Sequence, residues 1–152
     1  ELSIGAGVTL DPRTKGAVVD ENFQTDVPGI FAAGNVLHVH DLVDFVSLEA
    51  EALAEGVCRY LAGGETGTAD IPIQAGANIG HVIPQRISGQ QNIRMSLRVR
   101  IPVKECRLVV KQGDRILKPL TMPKAIPAEM IQIQLKAGDF LTKEPVEVMI
   151  DE

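Results

Sequence analysis

The stretch Thr25-Asp-Val-Pro-Gly-Ile-Phe-Ala-Ala-Gly-Asn35 combines a short apolar run with a glycine and a polar side chain at its end. Residues 29–33 predict a strand, which should begin after Pro28 because proline has no N–H to donate to a ladder. A helical pattern follows soon after. A strand that ends in Gly34-Asn35 before a helix places backbone N–H groups and a polar side chain at one sheet edge, where open α/β sheets bind ligands.

The same stretch has the spacing Thr-x5-Phe-Ala-x-Gly-Asn, which resembles the second flavin-binding motif of FAD-dependent pyridine nucleotide-disulfide oxidoreductases. The resemblance covers about residues 1–63, including Leu10-Asp-Pro and Gly16-Ala-Val-Val-Asp20. It implies that the residue after the glycine holds the ribityl chain of FAD. Most relatives carry aspartate there, whereas this chain has Asn35, whose amide both accepts and donates hydrogen bonds.

The resemblance further implies a flavoprotein that passes hydride between NAD or NADP and an acceptor through FAD. The family's first motif, Gly-x-Gly-x-x-Gly, does not occur in the chain. We therefore expect the C-terminal part of such an enzyme, inactive alone, with the N-terminal FAD and NAD domains of the parent chain as its partners. Some relatives with the same His-Val-His-Asp loop accompany anaerobic glycerol-3-phosphate dehydrogenases, which adds a partner oxidoreductase subunit as a candidate. A second copy of the chain is a further candidate, because exposed strand edges of the first half are a route to dimers.

The cofactor contacts that the resemblance implies lie at the strand end and in the first turn of the next helix. The positive end of that helix would face the flavin pyrimidine edge and stabilise negative charge on reduced flavin. The candidate FAD-binding residues are Gly34, Asn35, Asp44, Phe45 and Val46.

The loop His38-x-His40-Asp41 has three interpretations. The two histidines are the candidate catalytic residues, as contacts to flavin or substrate or as acid and base. They could also be polar loop residues beside a helix cap, or metal ligands. Zinc sites need three or four ligands, and the only other histidine, His81, lies beyond a predicted linker. We therefore expect no metal site.

Residues 44–61 predict a long amphipathic helix. Asp41 or Asp44 is expected to cap its start, and Gly63-Gly64 its end. Residues 64–70, rich in glycine and threonine, predict a linker. Apolar residues at spacings of three and four define the expected buried stripe: Val46, Ala50, Leu53, Val57 and Leu61.

Residues 71–152 carry the period-2 pattern of strands with one buried face. The alternation is clearest over 93–101 and returns at 131–135 and 146–150. Gln112-Gly113-Asp114 predicts a hairpin turn, and the prolines at 119, 123 and 127 predict a loop. The expected fold is therefore α+β: the end of an α/β FAD-binding domain over 1–63, then a small antiparallel β-sandwich over 71–152.

Composition narrows the function classes. A net charge of −5, with 3% aromatic residues and no tryptophan, argues against nucleic-acid binding. No apolar run approaches the roughly 20 residues of a membrane span. Two distant cysteines, Cys58 and Cys106, are expected as buried thiols and favour a cytoplasmic location. The alternative function is a non-catalytic assembly or partner-binding module built on the β-domain. A basic stripe is expected to be a solvated strand face or an interface: Arg94, Arg98, Arg100 and Lys104.

Overall fold

The computed structural model describes residues 1–63 and 68–151, and within these ranges it confirms the α+β fold. A short helix α1 (Leu2–Gly5) and a long helix α2 (Val43–Leu61) precede eight strands in the described residues. A 3₁₀ turn (Gly34–Val36) lies before α2, and a second (Ala137–Asp139) lies before the last strand. The strands are β1 (Ile71–Ala75), β2 (Ile79–Ile83), β3 (Arg86–Ile87), β4 (Ile93–Val99), β5 (Val103–Gln112), β6 (Arg115–Ala125), β7 (Ile131–Leu135) and β8 (Val146–Asp151).

The strands form two sheets with one shared core. The larger sheet has the order β3-β1-β8-β5-β6 and the smaller one β2-β4-β7. Buried side chains from both sheets, such as Ile73, Leu97 and Val148, belong to a single apolar cluster. The predicted sandwich is therefore confirmed, with one difference: β1 and β8 pair in parallel, while the other pairs are antiparallel. Sequence patterning had not predicted β1, β2 or β3.

Strand β4 shows why period-2 patterning predicted the sandwich well. Met95 and Leu97 are fully buried, and the strand pairs with β2 on one side and β7 on the other. The expected inward position of Ile101 is wrong, since this residue is 66% exposed. The strand ends at Val99, so the alternation no longer decides which way the next side chains point.

The β5–β6 hairpin confirms the predicted turn at Gly113-Asp114 but corrects the strand that follows. Pro119 and Pro123 lie inside β6, whereas the sequence predicted a loop there. Strand β6 is at the edge of the larger sheet. Proline is tolerated at such a position because the missing N–H faces solvent instead of a neighbouring strand.

The first 41 residues are held by turns, not by regular strands. The expected strand over 29–33 is wrong: this run contributes a single bridge, between Gln24 and Phe31, and another single bridge joins Leu10 with Ala17. A short run forms a regular strand only when neighbouring strands continue its hydrogen-bond ladder, and the described residues offer none here. A small apolar cluster around Val19 and Leu37 orders this region instead, and it includes Ile83 from β2.

Helix α2 confirms the predicted helix, and on its surface Glu55 and Arg59 form an ion pair at 3.8 Å. The expected cap is wrong, because the helix begins after Leu42 and receives no side-chain cap. Asp41 instead accepts hydrogen bonds from the Arg98 guanidinium and the Met130 N–H. Residues 64–67 of the predicted linker lie outside the described residues. Neither helix of the described chain is long and apolar enough to cross a membrane.

The buried face of α2 is rotated from the predicted stripe. Ala50 and Leu61 are exposed, and the buried positions are Glu49 and Gly56. A Cβ at Gly56 would lie 2.4 Å from the Asn22 carbonyl oxygen, so only glycine allows the helix to approach this closely. The expectation of two buried thiols is also half wrong, since Cys106 is buried but Cys58, on the outer side of α2, is exposed.

Arginine side chains join the two halves of the chain. Arg13 donates to the carbonyl oxygens of Ile79 and Gly80, at 2.9 and 3.0 Å. Arg98, in the predicted basic stripe, donates to the carbonyl oxygens of Val39 and Pro127, both at 2.9 Å. The strand β4 therefore fixes one side of the loop that carries the histidines.

Residues 68–151 should fold without the first half, because the members of the larger apolar cluster all lie between Ile71 and Ile150. The isolated segment would lose the contacts from Arg13 and would expose Ile83. We expect dispersed amide resonances and a cooperative thermal transition, with a lower midpoint than the whole chain. A spectrum typical of a disordered polypeptide would reject this boundary.

Asp20 is a buried carboxylate, and its replacement by asparagine should remove one source of pH dependence. Burial raises the pKa of Asp20 above 3.8, although its Oδ1 accepts the N–H groups of Asn22 and Gln24 at 2.8 and 3.0 Å. Because the pKa of Asp20 is raised in the folded state, its contribution to the free energy of unfolding falls as pH rises through that pKa. The amide oxygen of Asp20→Asn can accept the same two bonds without a charge.

Urea unfolding measured from acidic to neutral pH checks this expectation. Asp20→Asn should match or exceed the parent at neutral pH and should show a smaller decline in unfolding free energy as pH rises. Asp114→Asn, in the exposed hairpin turn, is the matched control. An Asp20→Asn protein that is less stable at neutral pH, with unchanged pH dependence, would contradict the prediction.

Candidate functional site

The turn at Gly34 carries the sequence-predicted site and has a backbone that favours glycine. Gly34 is buried with φ +76°, a conformation that residues with a Cβ rarely adopt. Its carbonyl oxygen accepts the N–H of Leu37 at 2.9 Å. Its own N–H donates to Glu49 Oε1 at 2.6 Å, which fixes the turn against the second turn of α2.

Glu49 is the residue on which the site is built. Its side chain is only 6% exposed, and Oε2 lies 2.9 Å from His38 Nε2 and 3.1 Å from His40 Nε2. Burial raises the pKa of Glu49, but the hydrogen bonds and charge of His38 and the N–H of Gly34 outweigh it, so the net pKa lies below 4.5. A carboxylate at neutral pH thus contacts three nitrogen atoms of the preceding loop: the Gly34 N–H donates to it, and a ring nitrogen of each histidine lies within hydrogen-bond distance.

His40 lies between two acceptors. Its Nε2 faces Glu49, and its Nδ1 lies 3.2 Å from Asn35 Oδ1. The backbone N–H of His40 also donates to that same Asn35 oxygen, at 3.2 Å, which identifies the atom as the amide oxygen. The exposed Asn35 side chain is therefore oriented by the buried cluster beneath it.

A third histidine adjoins the pair. The ring centroid of His38 lies 4.4 Å from that of His40 and 5.5 Å from that of His81, which is in strand β2. Burial, together with the nearby His38 and Arg98, lowers the pKa of His81 to about 4, so its ring is neutral at physiological pH. His38 Nδ1 and His81 Nε2 are buried and have no hydrogen-bond partner among the described residues.

The structure brings together Gly34, Asn35 and both candidate histidines, and Glu49 connects them. The imidazoles are buried, with 1% and 2% of their side-chain surface exposed. The other candidates, in the first turn of α2, do not take part in this cluster: Asp44 is exposed, and Phe45 and Val46 are half-buried. Sequence reasoning missed Glu49, although a carboxylate three residues after Val46 on the apolar side of a helix is a detectable signal.

The surface at the start of helix α2 combines exposed apolar side chains with backbone N–H groups. Helix α2 has no side-chain cap within the described residues. The Phe45 N–H donates to the Leu42 carbonyl oxygen at 3.2 Å, which leaves the N–H groups of Val43 and Asp44 at the open helix end. The residues around this helix end are unusually exposed for their type: Val36 at 61%, Val39 at 69%, Leu42 at 54% and Val43 at 79%. The surface therefore combines hydrogen-bond donors, a positive helix end and an apolar rim.

A cleft of about 700 Å³ includes Glu49 in its lining. It lies between the helix and the strands β4 and β7, and its lining includes Glu49, Glu55, Arg94, Ser96, Gln132 and Gln134. Glu49 is thus bordered by this cleft, with its polar and charged side chains, as well as by the histidine loop.

No protein-family model, curated protein or solved structure matches this chain. The functional conclusion therefore depends on the residues of the site and their geometry.

Replacing Glu49 by alanine should destabilise the protein by about 1–3 kcal/mol, because the buried Gly34 N–H loses its acceptor. Both imidazoles would lose theirs as well. Glu51→Ala, on the exposed side of the same helix, is the control and should change stability by about 0.5 kcal/mol or less. Chemical unfolding of the three proteins measures the difference, and equal stability of the two variants would show that the Glu49 bonds contribute nothing.

Proposed function

We propose that residues 1–63 form the flavin-facing end of a FAD-binding domain in an NAD(P)-linked oxidoreductase. The observation that carries the proposal is the surface at the start of α2, where the Gly34-Asn35 turn, the uncapped helix end and the exposed apolar rim occur together. A flavin has a planar apolar ring with a polar edge, so such a surface fits its chemistry. When bound, FAD supplies the two-electron chemistry between NAD(P)H and a further acceptor.

Asn35 is the residue assigned to the ribityl chain. Its Oδ1 accepts the backbone N–H of His40 and lies 3.2 Å from the ring Nδ1, which leaves Nδ2 as the atom that can donate to a ribityl hydroxyl. The positive end of α2 would favour the negative charge of reduced flavin. Asp44, Phe45 and Val46 are the residues of that helix end.

The two buried histidines hold the polar groups of this site in position. Because both imidazoles are buried against Glu49, a positioning role fits their geometry better than direct contact with a substrate. His40 holds the Asn35 amide, and His38 holds the Glu49 carboxylate that binds Gly34. The proposal thus assigns His38 and His40 to the orientation of cofactor contacts.

The remainder of the cofactor site would come from elsewhere in the parent protein. The pyrophosphate of a dinucleotide needs the glycine turn and helix start of a first βαβ unit, and the sequence of this chain contains no Gly-x-Gly-x-x-Gly. The exposed apolar rim is consistent with coverage by such a unit or by a partner subunit. A cytoplasmic location belongs to the same proposal.

The alternative is a non-catalytic assembly module. It is supported by the self-contained apolar cluster of residues 71–150, which could dock a partner independently of the first half. Flavin binding by the parent protein separates the two functions, because an assembly module needs no cofactor at the Gly34-Asn35 turn.

In the full-length parent protein, Asn35→Leu should weaken FAD binding roughly ten- to a hundredfold. The substitution removes a donor and leaves a ribityl hydroxyl unpaired, at a cost of about 1–3 kcal/mol. The isolated 152 residues should retain no FAD. Flavin absorbance and fluorescence after gel filtration measure both expectations.

Gln74→Leu is the matched control, because it replaces an exposed amide by leucine on β1, away from the site. It should leave flavin retention unchanged. Unchanged retention in Asn35→Leu, or tight FAD binding by the isolated chain, would refute the assignment.

A further inference from the structure

The cluster beneath the loop contains a carboxylate that is distant in sequence from the two histidines. Asp41, the carboxylate next to His40 in sequence, is engaged with Arg98 and the Met130 N–H. Glu49 occupies the position instead, eleven residues after His38 and on a different element. We infer that His38, His40 and Glu49 form a binding site for one divalent transition-metal ion of the zinc class.

The spacing of the three ligand atoms fits such an ion. His38 Nε2, His40 Nε2 and a Glu49 oxygen all lie within 4.8 Å of one another. Metal–ligand bonds of about 2.0–2.2 Å at tetrahedral or octahedral angles place neighbouring ligand atoms about 2.9–3.4 Å apart. The two Nε2 to Oε2 distances are 2.9 and 3.1 Å, so an ion could enter with little movement of the side chains.

The position of Asn35 suits a metal-binding His40. Asn35 Oδ1 accepts the backbone N–H of His40 at 3.2 Å and lies 3.2 Å from its ring Nδ1. In a histidine that binds a metal through Nε2, Nδ1 carries the proton, and Asn35 Oδ1 is placed to accept it.

The residues around the three ligands also fit the coordination of such an ion. Asn35 orients a ligating ring through its other nitrogen, which is the usual outer-shell arrangement for histidine ligands. Two imidazoles and one carboxylate leave an open position, as in sites that bind zinc together with water or a small ligand. Of the three ligands, Glu49 also lines the cleft between α2 and the strands β4 and β7.

Calorimetric titration of the chelator-treated 152-residue chain with Zn²⁺ tests the inference. We expect a one-to-one isotherm, and Co²⁺ should give the visible absorption of an ion with nitrogen and oxygen ligands. Both signals should disappear in Glu49→Gln, a variant whose amide oxygen can still accept the Gly34 N–H. His40→Ala should lose them too, and circular dichroism of each variant establishes that it is folded.

Two matched variants separate a built site from adventitious binding by histidines. His81→Ala removes a neighbouring imidazole that is outside the three-ligand group, so one-to-one binding should persist. Asn35→Ala should keep the stoichiometry and weaken the affinity about ten- to a hundredfold. The inference is overturned if the parent chain binds no Zn²⁺, or if binding survives in folded Glu49→Gln and His40→Ala. It is equally overturned if nitrogen NMR shows the ring nitrogens of His40 unchanged by added Zn²⁺.

Discussion

The buried Glu49 carboxylate is the constraint on which the first half of the chain depends. It accepts the Gly34 N–H through one oxygen and faces His38 and His40 through the other. A carboxylate removed from water needs such partners, because burying an uncompensated charge is very costly. These contacts bring the 3₁₀ turn and the histidine loop against α2 and set which side of the helix faces inward.

The flavin proposal and the metal proposal both involve the side chain of Asn35. The buried side of this residue holds His40, and its exposed side belongs to the surface at the start of α2. An ion beneath the loop would therefore stiffen the residue assigned to the ribityl chain. Neither role requires the other, since one uses Asn35 Oδ1 and the other Nδ2.

The β-sandwich depends on a simpler constraint, the burial of one face of each strand. Met95, Leu97 and Ile133 point into a core that Val110 and Val148 close from the opposite sheet. Local alternation predicted these inward positions. It could not predict that β1 would pair in parallel with β8, because that pairing joins segments about 70 residues apart and leaves no local trace in the sequence.

The sequence by itself determined the elements whose signal is local: helix α2, the hairpin turn at Gly113 and the alternating strands. It also indicated Gly34, Asn35, His38 and His40 as residues that belong together. Only the tertiary structure decided which partners satisfy the polar groups. Glu49 was not identified from the sequence, and Asp41 was expected as a possible helix cap. In the fold, Glu49 binds the Gly34 N–H, and Asp41 binds Arg98 from a distant strand. Periodicity reports where apolar surface lies, whereas the pairing of a buried charge depends on which donors the complete fold brings within hydrogen-bond distance.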